Sequence, residues 1–546
     1  MRAFAELLDR LSLTASRNAK LTMVRDYLRE TPDPDRGWAL AALTGDLTFD
    51  AAKPAFIRKA VESRMDPQLF RWSYDYVGDL AEAVSLVWPA RPGANREPQL
   101  SEVIDALRGA SRAEVQRLIE GWLDAMREPR ERWALLKLMT GALRVGLTAR
   151  LAKRAAAEMA HPDLGGVDPA EIEELWHALT PPYGDLFAWL EGRSEKPSSA
   201  NPARFRPVML AQAIDEAVDF GKLDPADYAA EWKWDGIRVQ AAHEGGVRRL
   251  YTRTGDDISK TFPDVLEALE DEGVLDGELL VIRDGKVAPF ADLQQRLNRK
   301  TVDARLMAAH PAAIRAYDVL QIGAEDTRSL PFAERRRRLE AFVSKEGRPR
   351  IDLSPIQPFG DWAELAALRA APPEGDPQVA EGLMLKRLDS VYEAGRPKGP
   401  WFKWKRDPFL VDAVLMYAQR GHGKRSSYYS DYTFGVWTQN DMGQRTLTPV
   451  GKAYFGFTDQ ELLQIDKFVR DNTIERFGPV RSVRAEPHHG LVLEVAFEGL
   501  QRSTRHKSGV AMRFPRISRL RWDKPPGEAD ELETLERMLP SLDGEG

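Results

Sequence analysis

The stretch Glu231-Trp232-Lys233-Trp234-Asp235-Gly236-Ile237-Arg238 decides how the rest of the chain is read. Its lysine stands in an apolar strand with charges of both signs nearby, which makes its amine a candidate covalent nucleophile. A free lysine has a pKa of about 10.4 and attacks only when neutral. Nearby cations, a bound metal and burial lower that value. Arg238 and later lysines supply such charge, while Glu231 and Asp235 hold the site together when it is empty. Alone, Lys-x-Asp-Gly is a weak pattern, because a buried salt-bridged lysine satisfies it equally well.

Outward from this stretch the chain changes character. Ile237–Gln240 alternates, Gly245-Gly246 turns, and Val247–Tyr251 alternates back, which predicts a hairpin. Leu279–Ile282, Asp284-Gly285 and Val287 predict a second. Helical stretches such as 333–345 are interleaved, so residues 201–406 read as an α+β domain. Upstream, 194–207 is polar and rich in proline and serine, as a linker is. Residues 1–200 read as an all-α N-terminal domain. Apolar residues recur at helical spacing in Leu21, Val24, Tyr27, Leu28 and in Val115, Leu118, Ile119, Trp122, and Ser111 with Glu114 forms a capping box. GALRVGLTARLAKR, 141–154, sets Arg144, Arg150, Lys153 and Arg154 beside an apolar helix, where helix ends and arginines hold phosphates. Residues 407–526 carry short strands punctuated by glycines and aromatics, the pattern of a small β-barrel. Residues 527–546 read as an acidic tail, either a short helix or disordered.

The 546 residues are 43% apolar and 30% charged, as in a globular protein. The lack of cysteine excludes disulfides, thiolate metal sites and a cysteine nucleophile. No apolar run reaches the roughly 20 residues of a membrane span, and Glu6, Asp9 and Arg10 break the N-terminus as a secretory signal. These features lead us to expect no membrane partner and a cytoplasmic (nucleoid-associated) or nuclear location. The net charge of −6 is uneven: residues 401–526 hold 21 Lys and Arg against 13 Asp and Glu. A basic C-terminal module on an acidic chain fits a polyanion.

Six ordered stretches follow the first: YTRTGDDI (251–258), LDGELL (275–280), AYDVL (316–320), EGLMLKR (381–387), WFKWKR (401–406) and RFPRISRLRWDK (513–524). With EWKWDGIR they resemble, in order, the nucleotidyltransferase motifs of ATP-dependent DNA ligases. The helical region with GALRVGL resembles the DNA-binding domain of the longer archaeal and eukaryotic enzymes. DAVLMYAQRGHGKR and the stretch 493–517 resemble their OB-fold domain. The resemblance implies a catalytic Lys233 and an ATP site including Glu231, Arg238, Arg253, Glu278, Tyr317, Lys386, Arg396, Lys403, Lys405, Asp523 and Lys524. Glu278 and Glu381 are hard oxygen ligands suited to Mg²⁺ or Mn²⁺, with the ribose as the alternative partner of Glu278 that the resemblance implies. Tyr317, where the family often has phenylalanine, stacks on adenine. Lys403 and Lys405 alternate with Trp404 and so share one strand face, suited to the α-phosphate. The family's arginine six residues before the first of these lysines is replaced by Pro397, with Arg396 displaced by one. Arg144, Arg150, Lys153, His422, Lys424, Arg425, Arg502, Arg505 and Lys507 are candidate DNA contacts. Residues 405–410 are the expected swivel between core and barrel.

The implied function is a monomeric ATP-dependent DNA ligase. It would seal 5′-phosphate/3′-hydroxyl nicks in duplex DNA through lysine-adenylate and DNA-adenylate intermediates, in replication, repair or recombination. An RNA ligase or capping-type nucleotidyltransferase is the alternative, and a non-catalytic DNA clamp a third. Neither a glycine-rich dinucleotide fingerprint nor a zinc-type cysteine set is present to favour NAD.

Overall fold

The computed structural model describes residues 1–539 apart from 48, 50–53, 78, 92, 94–95, 142, 198–201, 298, 300–301, 345–349, 372, 374–378, 421–428, 441, 454–457, 479 and 505. The chain divides into two compact units. One gathers Met1–Pro169, Leu179–Pro197 and Pro408–Gly546, the other Ala170–Ala178 and Ser198–Asp407. The division at Asp407/Pro408 falls inside the stretch expected to swivel.

The first part of the chain is helical, as its periodicity predicts. In α1 (Arg17–Glu30), Leu21, Val24 and Leu28 are buried and Ser16 caps the Ala19 amide. In α2 (Arg112–Ala125), Val115 and Ile119 are fully buried, and the Ser111–Glu114 capping box is present. α3 (Pro129–Thr140) starts on a proline and ends at Gly141, whose φ of 68° only glycine adopts easily. A loop then leads to α4 (Ala149–Ala157), capped by Thr148.

The second unit holds two sheets, built largely from β1 (Tyr228–Trp234), β2 (Ile237–Glu244), β3 (Val247–Thr252), β4 (Gly273–Arg283), β5 (Ala312–Ile322), β6 (Ala380–Arg387) and β7 (Trp401–Lys405). The first sheet runs in the order Gln212–Ala213, β7, β6, β1, Ile356–Gln357. The second runs β3, β2, β4, β5, Glu325–Asp326, with short strands added to β4 and β5. β2 and β3 are the expected hairpin, and Gly245 and Gly246 both take positive φ, as a tight turn between twisted strands requires. Glu231–Arg238 therefore crosses from one sheet to the other. Gly236 stands at the crossing, where an added Cβ would lie 2.4 Å from the Leu279 carbonyl oxygen and 2.9 Å from Cγ of Glu278. Only glycine lets β4 approach so closely.

The linker expected at 194–207 is anchored at its far end. Ala203 is fully buried and accepts a hydrogen bond from the Tyr251 hydroxyl, and Arg206 pairs with Glu244 at 2.7 Å. Residues 198–201 lie outside the described residues. In Ala170–Ala178, α5 (Pro169–Leu175) carries Glu174, which pairs with Arg328 of the same unit. α6 (Phe332–Val343) and α7 (Trp362–Ala370) complete the unit, α6 packing on β5 and α7 on β6.

Among the described residues the barrel is a seven-stranded curved sheet with a separate two-stranded ribbon. Its longest strand, β8 (Phe409–Arg420), pairs over Phe409–Val414 with β9 (Val492–Phe497) and over Val414–Arg420 with Tyr429–Gln439. Register shifts after Leu415 and Gln419 bend it, which curls the sheet around its own apolar core.

The short helix expected in the acidic tail is present, and residues 527–539 pack on the barrel instead of trailing from it. Asp530 accepts the Asp412 amide at 2.7 Å, Trp437 donates its indole N–H to the Pro526 carbonyl at 2.7 Å, and α8 (Leu532–Arg537) buries Leu535 in the barrel core. The acidic composition hid three apolar residues at helical spacing, Leu532, Leu535 and Leu539. Leu535→Ala should cost the barrel about 2–5 kcal/mol, the range for emptying a buried leucine site, read as a lower urea midpoint. An unchanged midpoint would return the segment to the status of a tail.

Candidate active site

The crossing of the two sheets collects the charged residues. On β1 the side chains of Glu231 and Lys233 share a face, and Trp232 and Trp234 fill the core behind. β6 pairs with β1 through a register shift between Ala380 and Leu383. The bulge needs Gly382 at φ 140°, where a Cβ would meet the Trp404 carbonyl oxygen at 2.2 Å. It turns Glu381 onto the lysine face. Glu381 Oε2 accepts a hydrogen bond from Lys233 Nζ and lies 3.5 Å from Lys405 Nζ. β7 brings Lys403 and Lys405 to the same face, opposite Met384 and Gly382 in register.

The facing sheet brings acids and a guanidinium. Arg238 and Glu278 are opposite each other in register. Arg238 grips Asp276 with two hydrogen bonds, 2.9 and 2.6 Å, and donates to the Met209 carbonyl and the Tyr392 hydroxyl. Against the cost of burial, Asp276 holds Arg238 well above its ordinary pKa. Burial pushes the Glu278 carboxyl up to about 8, against the pull of Lys233 and Arg238 and helped by Glu381. Burial, then Lys405, Lys233 and Arg396, push the Lys403 ammonium below its ordinary value. Arg396 is exposed yet close enough to act on Lys403, despite its displacement in sequence.

Glu278 gives a pH prediction for the metal-free protein. Its folded pKa of about 8 lies above the ordinary 4.5, so the folded state holds the proton more tightly. This stabilising contribution is complete below about pH 4.5 and is lost as pH rises toward 8. The slope is at most about 1.4 kcal/mol per pH unit. Urea unfolding in chelator should show the decline, and Glu278→Gln should flatten it; an identical slope in both proteins would contradict the assignment.

Glu231 and Lys386, both expected at the nucleotide, turn their side chains to each other. Both side chains are about 1% exposed and they pair at 2.8 Å, while Arg336 takes the other Glu231 oxygen at 3.1 Å. Lys386 also donates to the Tyr317 carbonyl and sits 4.4 Å from the Tyr317 ring and 4.7 Å from the Trp401 ring. Lys386, held by Glu231, braces the half-buried Tyr317. Sequence reasoning missed Asp276, Tyr392, Trp401 and Met384. Asp276, Trp401 and Met384 lie within LDGELL, WFKWKR and EGLMLKR, whereas Tyr392 lies in none of the motifs.

The arrangement suits a nucleotide polyphosphate with a divalent ion. Three lysines and two glutamates crowd one crossing beside an aromatic ring. Among the described residues no group of three or more His, Cys, Asp or Glu is placed to hold a metal. Two carboxylates nevertheless fit Mg²⁺, which keeps several waters and takes its remaining ligands from substrate phosphates.

Residues 208–405 match the family model of the ATP dependent DNA ligase domain, 1–157 that of the DNA ligase N terminus, and 425–524 that of the ATP dependent DNA ligase C terminal region. The chain belongs to the ATP-dependent DNA ligase family. A probable DNA ligase of Koribacter versatilis is 32% identical over 99% of this chain and 97% of its own length. DNA ligase 1 of Korarchaeum cryptofilum is 31% identical over 98% of each chain. The solved structure Pmar-Lig_PreS3 shares the fold at a TM-score of 0.58 and 15% identity, covering 95% of this chain and 99% of its own. The protein is an ATP-dependent DNA ligase, with ATP and a divalent metal ion as its cofactors.

The ligase's other expected site residues lie elsewhere. Arg253 is exposed on the turn after β3, without a hydrogen bond or ion pair to the described residues. Asp523 and Lys524 belong to the barrel, where Asp523 pairs with Arg521 at 2.9 Å and Lys524 with Asp412 at 2.8 Å. Arg502 and Lys507 are exposed on or beside the two-stranded ribbon. Arg144 and Arg150 are exposed and Lys153 is half-buried around the start of α4. His422, Lys424, Arg425 and Arg505 lie outside the described residues. Among the described residues no helix is long and apolar enough to cross a membrane.

Proposed function

We propose that Lys233 is the nucleophile of this ligase. Its Nζ attacks the α-phosphorus of ATP, a P–N bond forms, the bond to pyrophosphate breaks, and the amine gives its proton to solvent. The 5′-phosphate oxygen of a nick then attacks the adenylate phosphorus, the P–N bond breaks, and the Lys233 amine leaves with a proton taken back from solvent. Finally the adjacent 3′-hydroxyl attacks the activated phosphate, loses its proton, and AMP departs. Lys403 and Lys405 hold the α-phosphate and neutralise the charge that builds on it. Tyr317 stacks on the base. Glu278 and Glu381 would hold the divalent ion, which neutralises the phosphates when bound. Arg238, Arg253 and Arg396 would contact phosphates or the ribose, and Asp523 and Lys524 would meet the leaving pyrophosphate only when the barrel closes over ATP.

One observation carries the assignment: Lys233 is hydrogen-bonded to Glu381 on the face that also presents Lys403 and Lys405. We read the enzyme as a monomer working on nicked duplex DNA, in whichever of cytoplasm or nucleus holds that DNA. Intact-mass measurement tests the reading. The chain should gain one AMP with ATP and Mg²⁺, and lose it on adding a nicked duplex, with a sealed strand as product. Discharge only on nicked RNA would favour the RNA-ligase alternative. A chain that never gains AMP would overturn the assignment.

A further inference from the structure

Two contacts from α1 grip the segment that carries Arg144, Arg150 and Lys153. Lys20, on α1, is only 7% exposed, and its Nζ donates to the Val145 and Gly146 carbonyls, both at 2.8 Å. Nine residues further along the same helix, Arg29 donates to the Glu158 carbonyl at 2.9 Å, just past the C-terminal end of α4. One helix thus pins both ends of the segment. The fit at the first pin is tight: Gly146 has φ 65°, and an added Cβ would lie 2.5 Å from Lys20 Nζ.

The pinned loop is an unusual use of a lysine. An ammonium carries three donors and usually seeks carboxylates or water. Here two of them go to consecutive carbonyls of a loop without regular structure. Val145 points into the core at 3% exposure while its neighbour Arg144 is exposed. Thr148 then caps α4, and Arg150 and Lys153, three residues apart, share one face of its first turns. A change in the Val145–Gly146 backbone would therefore redirect Arg144 relative to the other two.

We propose that Lys20 is a positioning residue for DNA binding: it clamps the Val145 and Gly146 carbonyls and so presents Arg144, Arg150 and Lys153 as one fixed set to duplex phosphates. The proposal rests on the reading of those three residues as DNA contacts. Lys20 acts through the loop backbone and does not itself meet DNA.

Binding of the full-length Lys20→Met protein to a labelled nicked duplex, titrated across salt concentrations, separates these roles. Its affinity should fall about tenfold with the slope of log affinity against log salt unchanged. Arg144→Ala should lower that slope by about 1, as loss of one phosphate contact does. Self-adenylation of the Lys20→Met protein checks that the nucleotidyltransferase core is intact. Gly146→Ala disturbs the same clamp from the other side and keeps the question open to test if Lys20→Met folds poorly. It should weaken binding similarly, and the double variant should bind no worse than either single one. A slope reduced by about 1 in Lys20→Met would make Lys20 a direct contact and overturn the proposal. Unchanged affinity in Lys20→Met and Gly146→Ala, with Arg144→Ala still weakened, would sink the clamp alone. Unchanged affinity in Arg144→Ala as well would remove Arg144 from the DNA contacts on which the clamp rests.

Discussion

A Lys233→Ala protein incubated with ATP and Mg²⁺ should gain no mass, whereas the parent chain gains one AMP. The loss of self-adenylation should be on the order of 10⁴- to 10⁶-fold, the scale seen when a covalent nucleophile is removed. The defect should be confined to that step. Nicked DNA carrying a preformed adenylate on its 5′-phosphate needs no lysine to become reactive, so its sealing should survive. Lys233→Arg should fail as completely as alanine, because a guanidinium stays protonated at any pH the fold tolerates. Lys233 is only partly buried, with 24% of its side chain exposed, so loss of the fold is not the expected cause of inactivity. An adenylate adduct on the alanine protein, mapped to another lysine, would move the nucleophile elsewhere.

Glu381→Gln should give the second large effect. The carboxylate holds Lys233 and Lys405 together and is, with Glu278, one of the two that we propose for the divalent ion. Glutamine keeps the shape and removes the charge. We expect self-adenylation at saturating ATP to fall on the order of 10²-fold, about 2.7 kcal/mol of transition-state stabilisation. The Mg²⁺ concentration for half-maximal rate should also rise. The two readouts separate the roles. A slower rate with an unmoved Mg²⁺ midpoint would leave Glu381 as an organiser of lysines and exclude it as a metal ligand. An unchanged rate would remove it from the site.

Much of the scaffold was legible because it is local. The Gly245-Gly246 turn, the Ser111–Glu114 cap and the alternation of Lys403 and Lys405 about Trp404 are each set by residues within a few positions. Backbone sterics and side-chain period act at that range, so the sequence carries them openly. The fate of residues 527–539 was not legible, because an acidic composition outweighed three leucines whose burial depends on a distant barrel. The buried pairing of Glu231 with Lys386 was hidden for a related reason. Motif position marks a residue as important without saying whether it faces ligand or braces the residue that does.

The ordered motifs alone determined the family, the order of helical, α+β and barrel regions, and which lysine we propose as the nucleophile. Only the tertiary structure decided which charges meet. Lys233 and Glu381 are 148 residues apart and come together through one bulge at Gly382. Asp276 occupies the Arg238 fork from the neighbouring strand, and Lys20 reaches a loop 125 residues away. Charge attraction is felt over a few ångströms inside a fold, and distance along the chain does not encode which groups the packing of sheets and helices brings that close.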